Sequence, residues 1–79
     1  MEIYKNLSGQ SNIAQYGIGQ DYIDIEFKTK NRDGCDTYRY SCSRIDRQDI
    51  EHMKQLAIVG RGLNSFIMSH VRKLYDRKW

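Results

Sequence analysis

Tyr38 and Tyr40 flank Arg39, and two aromatic residues at i and i+2 of a strand project to one side of it. On an exposed face such a pair is a stacking platform for unpaired bases. On a covered face it is core, with the hydroxyls reaching the rim. Near the end of the chain, Arg72, Lys73, Arg77 and Lys78 precede Trp79, the only tryptophan. Cations beside an aromatic ring grip a phosphate backbone and stack on a base. The same charges also suit the C-terminal end of a helix, where they complement the macrodipole. Gly60-Arg61-Gly62 sets a cation in a glycine-rich corner, which can seat an anion at a helix N-terminus or simply turn the chain. Asn64, just beyond, reads as a cap or as a ligand contact.

Other chemistry is poorly supported. Nucleophilic catalysis needs a base beside the nucleophile and a third group to orient it. Ser41, Cys42 and Ser43 are available as nucleophiles, but none lies on a strained glycine-flanked turn. Asp24 and Glu26 belong to the charged side of a strand. Cys35, Cys42, His52 and His70 have a spacing that matches no zinc module. The expectation is a non-enzymatic chain with no metal and no cofactor.

The elements that must position these residues follow from periodicity. Asn12 to Ile18 reads as a first strand, closed by a turn at Gly19-Gln20-Asp21. In Tyr22 to Lys28, Ile23, Ile25 and Phe27 alternate with Asp24, Glu26 and Lys28, a strict period of two with one face apolar. Asp33-Gly34 marks a turn in a polar loop, and Thr37 to Ser43 is a third strand. Arg39 opposite the carboxylates of Asp24 and Glu26 makes a favourable cross-strand pair, a register that turns both tyrosines inward. The period then changes. Asp46 and Asp49 have capping-box spacing, Ile45 and Ile50 that of a hydrophobic staple, and Gly60 is suited to end the helix. Ile50, Met53, Leu56 and Ala57 share one helical face. A second helix is expected from Gly62 or Asn64 onward, with Leu63, Phe66, Ile67, Val71, Leu74 and Tyr75 on its apolar stripe. His70 falls near the middle of that stripe and His52 near the buried face of the first helix. The expected fold is α+β: a three-stranded antiparallel meander followed by two helices packed on one face, β-β-β-α-α. Residues 1–10 form an N-terminal arm, with Ile3 and Tyr4 packed down, and residues 11–79 a single domain. The expected core is Ile13, Ile23, Ile25, Phe27, Ile50, Met53, Leu56, Phe66, Ile67, Val71 and Leu74.

A chain of 79 residues holds one core. That core contributes roughly 3–5 kcal/mol, which is compatible with a homodimer or a partner-bound state. No apolar run approaches the ~20 residues of a membrane span. The N-terminus lacks the basic and apolar regions of a secretory signal. The expectation is a cytoplasmic protein with both cysteines reduced. The formal charge is only +3, but it is unevenly spread. Between Gly60 and Trp79, Arg61, Arg72, Lys73, Arg77 and Lys78 stand against Asp76 alone, an asymmetry that marks an anionic partner.

Ser11-Asn12-Ile13, Tyr16-Gly17, Tyr38-x-Tyr40, Gly60-Arg61, Asn64, Ile67 and Tyr75, in this order and spacing, resemble the KTSC domain. That domain is named for its place at the C-terminus of some lysyl-tRNA synthetases and also occurs as a free-standing bacterial or phage protein. The resemblance spans about Ser11 to Tyr75. The chain departs from the family pattern in its long Thr29–Asp36 loop and in Gly62, where an aromatic residue is common. The resemblance implies RNA as the leading partner, with fold alone not fixing function. The expected function is a small nucleic-acid-binding module that prefers RNA. Its contacts would come from Arg61, Asn64, Arg72, Lys73, Arg77 and Lys78, with Tyr38, Tyr40 or Trp79 stacking. The alternative is a protein-binding accessory or inhibitory protein of phage or mobile-element type, docking on a host complex that handles nucleic acid.

Overall fold

The computed structural model describes residues 1–79. Five strands form one sheet in the order β1-β2-β3-β4-β5, with every neighbouring pair antiparallel. They are β1 (Glu2–Ile3), β2 (Ile13–Ile18), β3 (Tyr22–Phe27), β4 (Thr37–Ser41) and β5 (Arg77–Lys78). Between β4 and β5 lie α1 (Arg47–Val59) and α2 (Leu63–Phe66), which runs on as a π-helical segment over Ile67–Val71.

The alternating pattern sets the three central strands. Ile23, Ile25, Phe27 and Tyr40 are buried on the inner face, against Ile50, Met53 and Ala57 of α1 and Leu63, Ile67 and Val71 beyond it. The register aligns Asp24 with Arg39, as charge pairing requires, and so turns Tyr38 and Tyr40 inward beside Ile25 and Ile23. A bulge between Ile13 and Gln15 re-aims β2. α1 begins after Asp46, but that carboxylate makes no cap hydrogen bond, so the expected capping box is not formed. The staple residues Ile45 and Ile50 are both buried. The helix stops at Gly60, whose φ of 87° is left-handed and whose N–H donates to the Leu56 carbonyl. Any Cβ there would lie 2.6 Å from Lys5 Cβ, so the corner needs glycine for space as well as for φ.

The expected three-stranded β-β-β-α-α arrangement is overturned at both ends of the chain. The N-terminal arm adds a strand to the sheet: Glu2 and Ile3 pair with Tyr16 and Gln15 on the free edge of β2. Tyr4 is buried at 4% exposure, while Ile3 stays outside at 78%. The second helix does not continue through Leu74 and Tyr75. It ends at Val71, the chain turns, and Arg77–Lys78 becomes β5 on the edge of β4. An unpaired strand edge carries a row of unused N–H and C=O groups, and a two-residue strand is enough to satisfy it. Here Trp79 N–H donates to the Thr37 carbonyl at 2.9 Å, and Asp76 N–H to the Arg39 carbonyl at 2.7 Å. Leu74, expected in the core, is therefore exposed, and Tyr75 instead packs edge-on against Tyr38 at 5.0 Å. Leu56 and Phe66 are only half-buried. His52 and His70 are exposed rather than turned to the core; His52 meets the Phe66 ring edge-on at 4.9 Å and His70 stacks on it at 4.5 Å.

Candidate nucleic-acid interface

The helices cover only part of the inner sheet face. At one end a cleft of about 380 Å³ remains between the sheet, the β3–β4 loop and the π-helical segment. Its floor is aromatic. Tyr38 stacks with Tyr40 at 6.5 Å, and Phe27 and Tyr75 meet Tyr38 edge-on at 5.5 and 5.0 Å. Lys30, Arg72 and Lys73 supply cations to the lining, and Asn12, Asn31 and Asn64 supply carboxamides. Thr29 and Met68 complete the wall, and no carboxylate belongs to it.

Each wall has a local cause. The Asp33-Gly34 turn closes the β3–β4 loop, with Gly34 at φ 81°. Asn31 organises that loop: its Oδ1 accepts the N–H groups of Asp33 and Cys35 at 2.9 and 2.8 Å. Its Nδ2 donates to the Tyr38 hydroxyl at 2.8 Å, fixing the loop to the floor. Asn12 donates to Thr29 at 3.1 Å. Asn64 makes no such side-chain bond and keeps both donor and acceptor for a visitor. Arg72 and Lys73 are exposed and belong to no ion pair, whereas Lys30 sits 3.2 Å from Asp36. Hydrogen bonds from Thr37 and then Lys30 lower the Asp36 pKa from its ordinary value. Burial raises the Tyr40 phenol well above the ordinary tyrosine range, with Tyr38 and Tyr75 adding to the effect, so this part of the floor stays neutral.

The structure brings together Tyr38, Tyr40, Asn64, Arg72 and Lys73. The other sequence candidates go elsewhere. Arg61 sits exposed at the α1–α2 corner, outside the cleft lining. Gly60 and Gly62, both at positive φ, serve the turn itself, and the Gly60 carbonyl accepts Leu7 N–H at 2.8 Å. Arg77 and Trp79 do not end a helix beside Arg72. They lie on the outer sheet face, where the Arg77 guanidinium is 5.0 Å from the Trp79 ring. Arg39 joins them there, forked onto Asp24 at 2.7 and 2.9 Å and 3.9 Å over the Tyr22 ring. Lys78 faces inward but is held by Asp33 at 2.7 Å, a bond that raises its pKa above the ordinary lysine value. The basic C-terminal run is thus divided between two faces of one sheet.

Lys30, Asn12 and Asn31 are cleft residues that sequence reasoning passed over. For Lys30 and Asn31 the one signal is the polarity of Thr29-Lys30-Asn31, which reads equally as an ordinary solvated loop, and for Asn12 it is its place in the Ser11-Asn12-Ile13 motif. The serines considered as nucleophiles bind Asp76: Ser43 donates to it at 2.9 Å and Ser41 donates to its other oxygen, a clamp on the approach to β5. Cys35 and Cys42 are half-buried and unbridged. No helix is long and apolar enough to cross a membrane. No protein-family model, curated protein or solved structure matches the chain.

Proposed function

We propose that the chain is a non-enzymatic RNA-binding module that holds unpaired nucleotides in the aromatic cleft. The observation that carries this reading is the joining of three cations and an uncommitted carboxamide around an aromatic floor, with no carboxylate in the lining. Single-stranded RNA is recognised by stacking splayed bases on aromatic rings and hydrogen bonding to their edges, which is what such a floor and Asn64 offer. Arg72 and Lys73 are unpaired and meet phosphate without first breaking an ion pair. A concave site also favours an unpaired strand over a duplex, whose bases are already stacked. The resemblance to the KTSC domain points to the same class of partner.

Fluorescence anisotropy with labelled single-stranded RNA, tRNA and duplex DNA tests the proposal. The double variant Arg72→Gln/Lys73→Gln should weaken RNA binding roughly tenfold or more at low salt, since two phosphate contacts are lost. Arg77→Gln, on the opposite face, should leave it within about twofold. Absence of RNA binding at low salt, or a loss confined to Arg77→Gln, would sink the reading. A defined complex with a protein that survives high salt would replace it with a protein-docking role.

A further inference from the structure

A second concavity adjoins the cleft. It measures about 280 Å³ and is lined by Ser8, Gln10, Ser11, Gly62, Asn64 and Ser65. Asn64 lines both spaces, so the two meet at that one side chain. Their chemistry differs. The cleft has aromatic rings and cations, whereas the crevice has no charge and no apolar residue, only hydroxyls, carboxamides and a glycine.

The fold builds this crevice from parts far apart in sequence. Leu7 N–H bonds to the Gly60 carbonyl at 2.8 Å and docks the β1–β2 loop on the helix corner. Asn6, at φ 55°, and Gly9, at φ 76°, curl that loop, and Asn6 Oδ1 accepts Ser11 N–H at 3.0 Å. Within the crevice, Ser8 Oγ accepts Gln10 N–H at 3.2 Å and Ser11 Oγ accepts Ile13 N–H at 3.3 Å. Each of these hydroxyls keeps its own proton to donate, and Ser65 keeps both roles.

We infer that this crevice is a ribose subsite, where Ser11, Ser65 and Asn64 engage the 2′-hydroxyl of the nucleotide next to the one held in the cleft. The inference rests on the RNA-binding reading and adds the feature that separates RNA from DNA. A neutral wall of hydroxyls and amides suits a group that both donates and accepts, and the 2′-hydroxyl is that group. Phosphate would favour the cationic cleft instead. The subsite adjoins the base cleft, so the minimal occupant is two nucleotides long.

The test compares labelled oligouridine eight nucleotides long, the matching oligodeoxyuridine and the 2′-O-methyl oligomer, each titrated with the full chain at low salt. The expected result is that RNA binds roughly tenfold more tightly than the deoxy strand, the worth of a good hydrogen bond or two. The 2′-O-methyl strand, bulkier and no longer a donor, should bind no better than the deoxy strand. Ser65→Ala alone, at an exposed position, and Ser11→Ala/Ser65→Ala should lower RNA affinity toward that of the deoxy strand while leaving the deoxy affinity unchanged. Equal binding of RNA and deoxy strands by the unaltered chain, or equal loss of both in Ser65→Ala, would overturn the subsite and leave the cleft reading standing. No binding of any strand would overturn both.

Discussion

Arg39 and Gly60 show how single residues decide this structure. Arg39 lies between the two tyrosines, and its forked bond to Asp24 at 2.7 and 2.9 Å fixes which face they take. Hydrogen bonding to Asp24 raises the guanidinium pKa above the ordinary arginine value. Gly60 carries two constraints, positive φ and the close approach of Lys5. Gly34 shares the positive φ but has open space around it. Gly60→Ala should therefore cost about 2–3 kcal/mol by urea denaturation, and Gly34→Ala only about 1 kcal/mol. Equal costs would show that the Lys5 contact yields freely. Tyr40 supplies a pH test. Its pKa is raised in the folded state by burial, so the stability tied to its neutral form is complete below the ordinary tyrosine value near pH ~10. It is lost progressively as pH rises above that value, because the unfolded chain releases the proton first. Alkaline absorbance titration should show a late ionisation step from Tyr40, and Tyr40→Phe should abolish that step.

The elements divide into those with internal reasons to form and those that borrow their form from a neighbour. β3 and α1 carry full amphipathic patterns. β1 and β5 are two residues each and exist because β2 and β4 offer free edges. β5 is nonetheless consequential. The turn that leads into it sets Tyr75 against Tyr38 in the cleft floor, and the strand directs Lys78 to Asp33 of the β3–β4 loop. Removing Arg77–Trp79 should destabilise the chain by about 2–3 kcal/mol, roughly 1 kcal/mol for each backbone bond to Asp36 and Thr37. Hydrogen exchange at Asp36 and Thr37, whose N–H groups both donate to the Trp79 carbonyl, should accelerate in the same variant. Unchanged protection there would mean that β4 holds its edge without β5.

At the scale of the whole molecule, the sheet separates two groups of basic residues. One is the cleft with Arg72 and Lys73. The other is the outer face, where Arg39 and Arg77 are already occupied by Asp24, Tyr22 and Trp79. The net charge of +3 is too small to bind nucleic acid through its field alone. Affinity must come from the local cluster. Three cations on a single strand predict a slope near −2 for log K against log salt, at about 0.7 for each phosphate. A slope near −4 would mean that the outer face takes part, and the partition described above would fail.

Within the sequence itself lay the strands from Ile13 to Ser41, the register implied by Arg39 and Asp24, and α1 with its stop at Gly60. Each follows from local periodicity, from a charge pair across one turn, or from a residue that alone tolerates its backbone. The tyrosine pair, both basic residues of Arg72-Lys73 and Asn64 were legible as candidates, but not their meeting. Tertiary structure alone decided that Leu74 and Tyr75 leave the helix, that Arg77 and Trp79 cross to the outer face, and that Lys30 and Asn31 join the cleft. The physical reason is the same in each case. Strand edges accept almost any sequence through backbone hydrogen bonds, and a cleft forms where segments distant in sequence fail to fill the space between them. Neither leaves a period in the chain.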